Sequence, residues 1–146
     1  MSAYIAVVGP GEASPEQAEA AEAVGRELAA RGAVLVSGGL GGAMEAACRG
    51  ARAGGGMTVG ILPGHEREAA NEFVDVALAT GLGEARNALV VRAADALIAV
   101  GGGYGTLSEI ALALKAGKRV VGLDTWEIDG VERADSAERA VALALS

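Results

Sequence analysis

Three adjacent glycines, Gly101-Gly102-Gly103, separate two very different runs. Before them stands Ala96-Leu97-Ile98-Ala99-Val100, which reads as a buried strand. After them Leu107, Ile110, Ala111 and Leu114 recur at helical spacing. Such a chain must turn from a strand through glycine directly into a helix start. Unpaired backbone N–H groups converge at that point, and the helix dipole favours negative charge there. Glycine lets the backbone approach a phosphate with no Cβ between them. The expected ligand is therefore a small phosphorylated molecule. It would sit on the N–H groups of Gly102, Gly103, Tyr104, Gly105 and Thr106, with the Thr106 hydroxyl adding a contact.

The same design recurs along the chain. Strands are expected over residues 4–8, 33–37, 58–62, 73–79, 96–100 and 119–123. Helices are expected from Pro15 until Gly32 stops the first, then over 43–53, 84–93, 106–116 and 136–145. Ser14 and Gln17 have capping-box spacing around Pro15. Ala21, Val24, Gly25 and Leu28 form the buried stripe of the first helix. Short β-branched runs alternating with helices specify an α/β fold. The expectation is a Rossmann-like open parallel sheet with helices on both faces, one domain over residues 1–146. Glycine loops also follow the first strand, at Gly9-Pro10-Gly11, and the second, at Gly38-Gly39-Leu40-Gly41-Gly42. All three loops then lie at the carboxyl ends of their strands and share one cleft. Gly9, Pro10, Gly38 and Gly39 are the expected contacts for the rest of the ligand.

Composition narrows the partners. The chain has 146 residues, about half of them apolar, and a formal net charge of −7. Its lysines are Lys115 and Lys118 alone. An acidic surface is a poor nucleic-acid binder, since that affinity comes largely from Lys and Arg on phosphates. No apolar run approaches the roughly 18 residues of a membrane span, and no leader pattern opens the chain. With the single Cys48, these features suggest a cytoplasmic protein. No second Cys or His lies at metal-ligand spacing, so no protein-held metal is expected.

Several motifs have bland readings. The loops lack the third glycine of a dinucleotide fingerprint, and Gly117-Lys118-Arg119 is not a Walker A end. Thr106-Leu107-Ser108-Glu109 is a capping box in its own right, with Thr106 as N-cap and Glu109 reaching back. Arg86 reads as a solvated residue early in a helix, His65 as a loop residue, and Cys48 as a small buried apolar one. Asp124 and Glu127 lie where they could approach the cleft after the sixth strand.

The stretch from Arg86-Asn87 through Ala94-Asp95-Ala96 to Gly102-Gly103-Tyr104-Gly105-Thr106-Leu107-Ser108-Glu109 resembles the LOG family, often labelled "possible lysine decarboxylase". That family's pattern is an arginine, a strand, then P-G-G-x-G-T-x-x-E. Residues 37–44 resemble its first glycine motif. The resemblance implies N-glycosidic hydrolysis of a nucleoside 5′-monophosphate to free base and ribose 5-phosphate. It implies Arg86 and Glu109 as the catalytic pair, no required cofactor, and a homodimer. Two positions depart from the pattern: Gly101 stands for proline and Asn87 for lysine. With the short chain, they are closer to the neighbouring branch of the SLOG superfamily that includes molybdenum-cofactor carriers. The alternative implied there is a non-catalytic carrier of a phosphorylated pterin or a nucleotide. A true lysine decarboxylase is not expected, because a pyridoxal enzyme needs a Schiff-base lysine in its pocket. Lys115 and Lys118 fall at the far end of the helix that the glycines open.

Overall fold

The computed structural model describes residues Met1–Ser146. Its elements run β1 (Tyr4–Val8), α1 (Pro15–Ala30), β2 (Val34–Ser37), α2 (Ala43–Ala53), β3 (Thr58–Leu62), β4 (Val76–Ala79), α3 (Arg86–Ala93), β5 (Ala96–Val100), α4 (Tyr104–Lys115), β6 (Arg119–Leu123), β7 (Val131–Arg133) and α5 (Ala137–Leu145). All seven strands are parallel, in the order β4-β3-β2-β1-β5-β6-β7. The order reverses between β1 and β5, so a crevice opens above their carboxyl ends.

Alternation along the strands assigns side chains to two faces. Ile5, Val7, Leu35, Ile98 and Val100 pack under α1, α2 and α5. Ala6, Val8, Val36, Leu97 and Ala99 pack under α3 and α4. Every residue of β5 is buried, as a central strand covered on both faces requires. The Ser14–Gln17 capping box forms as its spacing predicts.

Helices α1 and α2 meet through glycines. A Cβ on Gly25 would overlap the Ala47 carbonyl oxygen, and one on Gly50 would overlap that of Glu22. The two backbones are in contact where side chains usually separate them. Gly25→Ala must push α2 outward and is expected to cost about 3 kcal/mol, the upper end of ordinary overpacking. Denaturant unfolding of Gly25→Ala beside wild type reads this directly; equal midpoints would contradict the close approach.

Several boundaries differ from the sequence expectation, among them the start of α3, which is Arg86 and not residue 84 because a 3-10 turn over Gly83–Ala85 precedes it. The strand expected from residue 73 begins at Val76, because the Asp75 carboxylate, not the backbone, accepts the Thr58 N–H at 2.9 Å. Strand β7 is unexpected: three half-polar residues carry too little pattern to stand out, and only pairing with β6 makes them a strand. Helix α4 starts at Tyr104, two residues early, with Gly103 as its N-cap and no side-chain cap. The Thr106–Glu109 capping box therefore does not form.

Two other residues are structural. Cys48 is buried against Ser37, and burial pushes its thiol pKa up, so it is no nucleophile. Lys118 Nζ donates to the carbonyls of Val91, Arg92 and Ala94, capping the end of α3. No helix is long and apolar enough to cross a membrane.

Candidate active site

The three glycine loops meet above β1 and β5. Gly9 is wedged between Ala43 and the Val100 carbonyl; a Cβ there would lie 2.6 and 2.7 Å from them. The Pro10 carbonyl accepts the Ala43 N–H at 3.0 Å, tying the first loop to the start of α2. The resulting cleft has a volume of about 260 Å³. Gly9, Pro10, Gly38, Arg86, Gly103, Gly105, Thr106 and Glu109 of the expected set line it.

One wall is the first turn of α4. Leu107 donates to the Gly103 carbonyl at 3.0 Å, but the N–H groups of Gly102, Gly103, Tyr104, Gly105 and Thr106 have no acceptor within the chain. Thr106 Oγ1 is also buried without a partner. A buried hydroxyl left unpaired costs roughly 1–3 kcal/mol, so an unpaired one lining a cleft points to a ligand that completes it. The donor set suits the terminal oxygens of a phosphoryl group.

Glu109 faces the same cleft from the next turn of α4, and Arg86 from the start of α3. Arg86 is 9% exposed, not solvated as its sequence position suggests. It opens α3, where the helix dipole disfavours a cation. Acceptors hold it there: Nε donates to the Ile61 carbonyl at 2.9 Å, Nη2 to the Gly38 carbonyl at 3.3 Å, and Nη1 to Asn87 Oδ1. Gly38 is glycine for this reason, since a Cβ would lie 2.6 Å from Arg86 Nη2. Asn87 Nδ2 in turn donates to Ser108 Oγ at 3.2 Å, linking α3 to α4. A lysine at 87 has no acceptor to offer Arg86, so the departure at that position builds a contact of its own.

Glu109 is 7% exposed and makes neither a hydrogen bond nor a direct ion pair. Burial raises its pKa to about 7, against the attraction of the Arg86 guanidinium, which lowers it. Burial likewise lowers the pKa of Arg86. A carboxyl poised near neutrality beside a fixed cation is the arrangement used for proton transfer and for stabilising positive charge.

Three expected residues do not line the cleft, although the N–H groups of Gly102 and Tyr104 are unpaired. Gly39, at φ +76°, packs on Leu62 and Gly60 beneath the second loop. Gly102 faces the Trp126 ring, and Tyr104 turns outward, 85% exposed, toward the groove between α3 and α4. Val7, Val8, Gly11, Met44 and Asn87 complete the lining; Gly11 and Met44 belong to the first two glycine loops and Asn87 follows Arg86, whereas Val7 and Val8 carry no sequence signal for a ligand. Asp124 takes a strained φ of +50° after β6 but does not line the cleft, nor does Glu127. His65 is an exposed loop residue lying against Gly81. No group of three or more His, Cys, Asp or Glu residues could hold a metal.

The model of the SLOG cluster4 family matches residues 2–145. The chain belongs to that family. A solved structure of the molybdenum cofactor binding protein from the phototrophic bacterium Rippkaea orientalis superposes with a TM-score of 0.93 at 40% identity, covering 98% of this chain and 95% of that one. The molybdenum cofactor carrier protein of Chlamydomonas reinhardtii gives 0.90 at 36%, covering 97% and 95%. The cytokinin riboside 5′-monophosphate phosphoribohydrolase of Mycobacterium marinum is 39% identical over 127 residues, 80% of this chain and 68% of its own. This SLOG chain thus resembles both kinds of protein that the glycine motif suggests.

Gly101 marks a difference within that likeness. Its φ is +66°, its N–H donates to the Leu123 carbonyl at 3.0 Å, and Gln17 lies against its open side. Proline holds φ near −65° and has no N–H. Gly101→Pro, restoring the LOG pattern, is expected to destabilise the fold by about 3 kcal/mol. Thermal melting reads the cost; an unchanged melt would mean that the loop accepts the proline path.

Proposed function

We propose that the cleft binds a phosphorylated nucleoside and hydrolyses its N-glycosidic bond, giving free base and ribose 5-phosphate. The observation that carries this reading is Glu109: a buried carboxyl, free of hydrogen bonds, one helical turn along α4 from the unpaired N–H groups and sharing the cleft with Arg86. Such a group is expensive to keep and serves no cap.

The phosphoryl group would rest on the N–H groups of residues 102–106 and Thr106 Oγ1. This places C1′ toward Glu109. The C1′–N bond breaks with its electron pair leaving on the base nitrogen, and the ring becomes oxocarbenium-like. The Glu109 carboxylate stabilises that positive charge and takes a proton from the water that adds to C1′. Glu109 then passes that proton, through water, to the nitrogen of the departing base and returns to its carboxylate form. Arg86 holds the second loop and keeps Glu109 ionisable; its fixed cation also draws the anionic ligand in. The test is prolonged incubation with a panel of nucleoside 5′-monophosphates, with chromatography for free base. Release from any member supports the reading, and intact nucleotide throughout opposes it.

A second reading is favoured by Gly101. Its backbone takes a path closed to the proline of the LOG hydrolases, and the Moco-binding structures match nearly the whole chain. In this reading the same donors hold the phosphate of a molybdopterin-type ligand without cleaving it. The unpaired N–H groups and Thr106 fit the phosphoryl end that nucleotide and pterin share. When bound, the cofactor would bring its own molybdenum and sulfur chemistry; residues 102–106 and Arg86 would only hold and orient it. Recovery of intact ligand after long incubation distinguishes this carrier from the hydrolase.

A further inference from the structure

Trp126 takes no part in the chemistry above, yet it holds the glycine loop from behind. It is the one tryptophan of the chain and is carried by the helix-free connection between β6 and β7. Its indole N–H donates to the Gly103 carbonyl at 3.2 Å. Its ring occupies the space that a side chain at 102 would need: a Cβ on Gly102 would lie 2.6 Å from Nε1 and 2.8 Å from Cδ1. Tyr104 stacks on the same ring, centroids 6.2 Å apart and planes at 29°. Three successive loop residues therefore rest on one side chain.

The consequence follows from the planarity of the peptide unit. The Gly103 carbonyl and the Tyr104 N–H belong to one trans peptide and point in opposite directions. The carbonyl is held twice, by Trp126 Nε1 and by the Leu107 N–H at 3.0 Å. Fixing it fixes the Tyr104 N–H. A flipped peptide would present an oxygen where an anion needs a donor. Such a flip turns ψ of Gly103 and φ of Tyr104, and glycine at 103 leaves the first of these free.

We infer that Trp126 is a positioning residue for phosphoryl binding, acting through the peptide between Gly103 and Tyr104. This rests on the reading that the loop takes a phosphoryl group. The groups that would touch the ligand belong to the loop; Trp126, together with the Leu107 N–H, fixes which way the peptide between Gly103 and Tyr104 faces. The side chain comes from a segment that sequence motifs leave out of the site.

The test compares wild type, Trp126→Phe and Trp126→Ala by calorimetry with adenosine 5′-monophosphate, adenosine and inorganic phosphate, alongside thermal melts. Phe keeps the ring and removes the donor. In wild type, nucleotide binding should also change the emission of this lone tryptophan. Trp126→Phe is expected to melt with wild type and bind the nucleotide roughly tenfold more weakly, the size of one lost hydrogen bond to a charged site. Trp126→Ala should lose more, and adenosine binding should not fall in parallel. Nucleotide affinity equal in wild type and Phe variant overturns the inference. So does a loss shared equally by nucleotide and adenosine, or one explained by a lowered melting temperature. Failure of wild type to bind either phosphoryl probe overturns the phosphoryl-site reading itself, and this inference with it.

Discussion

Glu109→Gln is expected to lower base release by at least about 10²-fold while leaving nucleotide binding largely intact, because general-base and charge-stabilising roles contribute on that scale. Glutamine keeps the shape of the neutral acid but cannot accept the proton or balance the oxocarbenium charge. The wild-type rate should rise with pH through about 7, where Glu109 ionises, and level off above it. A rate that falls through the same range would make Glu109 a proton donor to the base instead. Full activity in the variant would end the hydrolase reading.

The same substitution should stabilise the fold. Glu109 has an ordinary pKa of 4.5 and a folded one of about 7, so the native state binds more protons than the unfolded state between those values. Stability therefore falls as pH rises from 4.5 to 7, and the cost is complete above 7. Its size is about 3 kcal/mol at 1.36 kcal/mol per pH unit. Glu109→Gln removes that pH dependence and is expected to melt higher than wild type at pH 8. Melting curves at pH 4.5 and 8 for both proteins decide this. A gain in stability bought with lost chemistry would mark Glu109 as a functional residue and not a structural one.

Arg86→Ala is expected to be the most damaging truncation in the site. It strips donors from the Ile61 and Gly38 carbonyls and from Asn87, and it leaves Glu109 without its countercharge. A loss of about 3 kcal/mol in stability is expected from unpairing buried acceptors of a charged group. Turnover should fall at least about 10²-fold, since both charge and loop position are lost. The surviving pH profile should shift to higher pH, because the attraction that lowers the Glu109 pKa is gone. Arg86→Lys separates the effects. A compact ammonium supplies charge but cannot span acceptors on β3, the second loop and α3. It should restore part of the pH profile and little of the rate. A lysine variant with wild-type turnover would show that charge alone is needed.

The architecture was readable because the repeating pattern is strong. Short β-branched runs alternating with amphipathic helices leave a parallel sheet as the one way to bury every apolar face, and glycines mark where each strand turns into a helix. Strand β7 escapes because three residues, none of them fully buried, have no periodicity to detect. Half of the cleft was readable too. Gly9, Gly38, Gly103, Gly105 and Thr106 stand after strands whose ends must converge at the switch point.

Arg86 and Glu109 show where local reasoning stops. From neighbouring residues alone, Arg86 is a solvated helix residue and Glu109 a capping partner. Both readings follow correct rules that the tertiary structure overrides. Starting α4 at Tyr104 instead of Thr106 turns Glu109 inward, and the Gly38 and Ile61 carbonyls hold a cation at a helix start that its dipole would repel. Gly102 was read as a ligand contact, but its missing side chain makes room for Trp126, twenty-four positions away in number and adjacent in space.

The order of strands and helices, the sites of the three glycine turns, the acidic charge and the lack of a helix long and apolar enough to cross a membrane all follow from short-range pattern and composition, which any segment carries with it. Which peptide groups stay unpaired, which carboxyl is buried and which side chain steadies the loop depend on contacts between β3, α3, α4 and the β6–β7 connection. Those contacts join residues far apart in the chain. Their energies come from burial and hydrogen-bond geometry, which exist only once the sheet has brought the loops together.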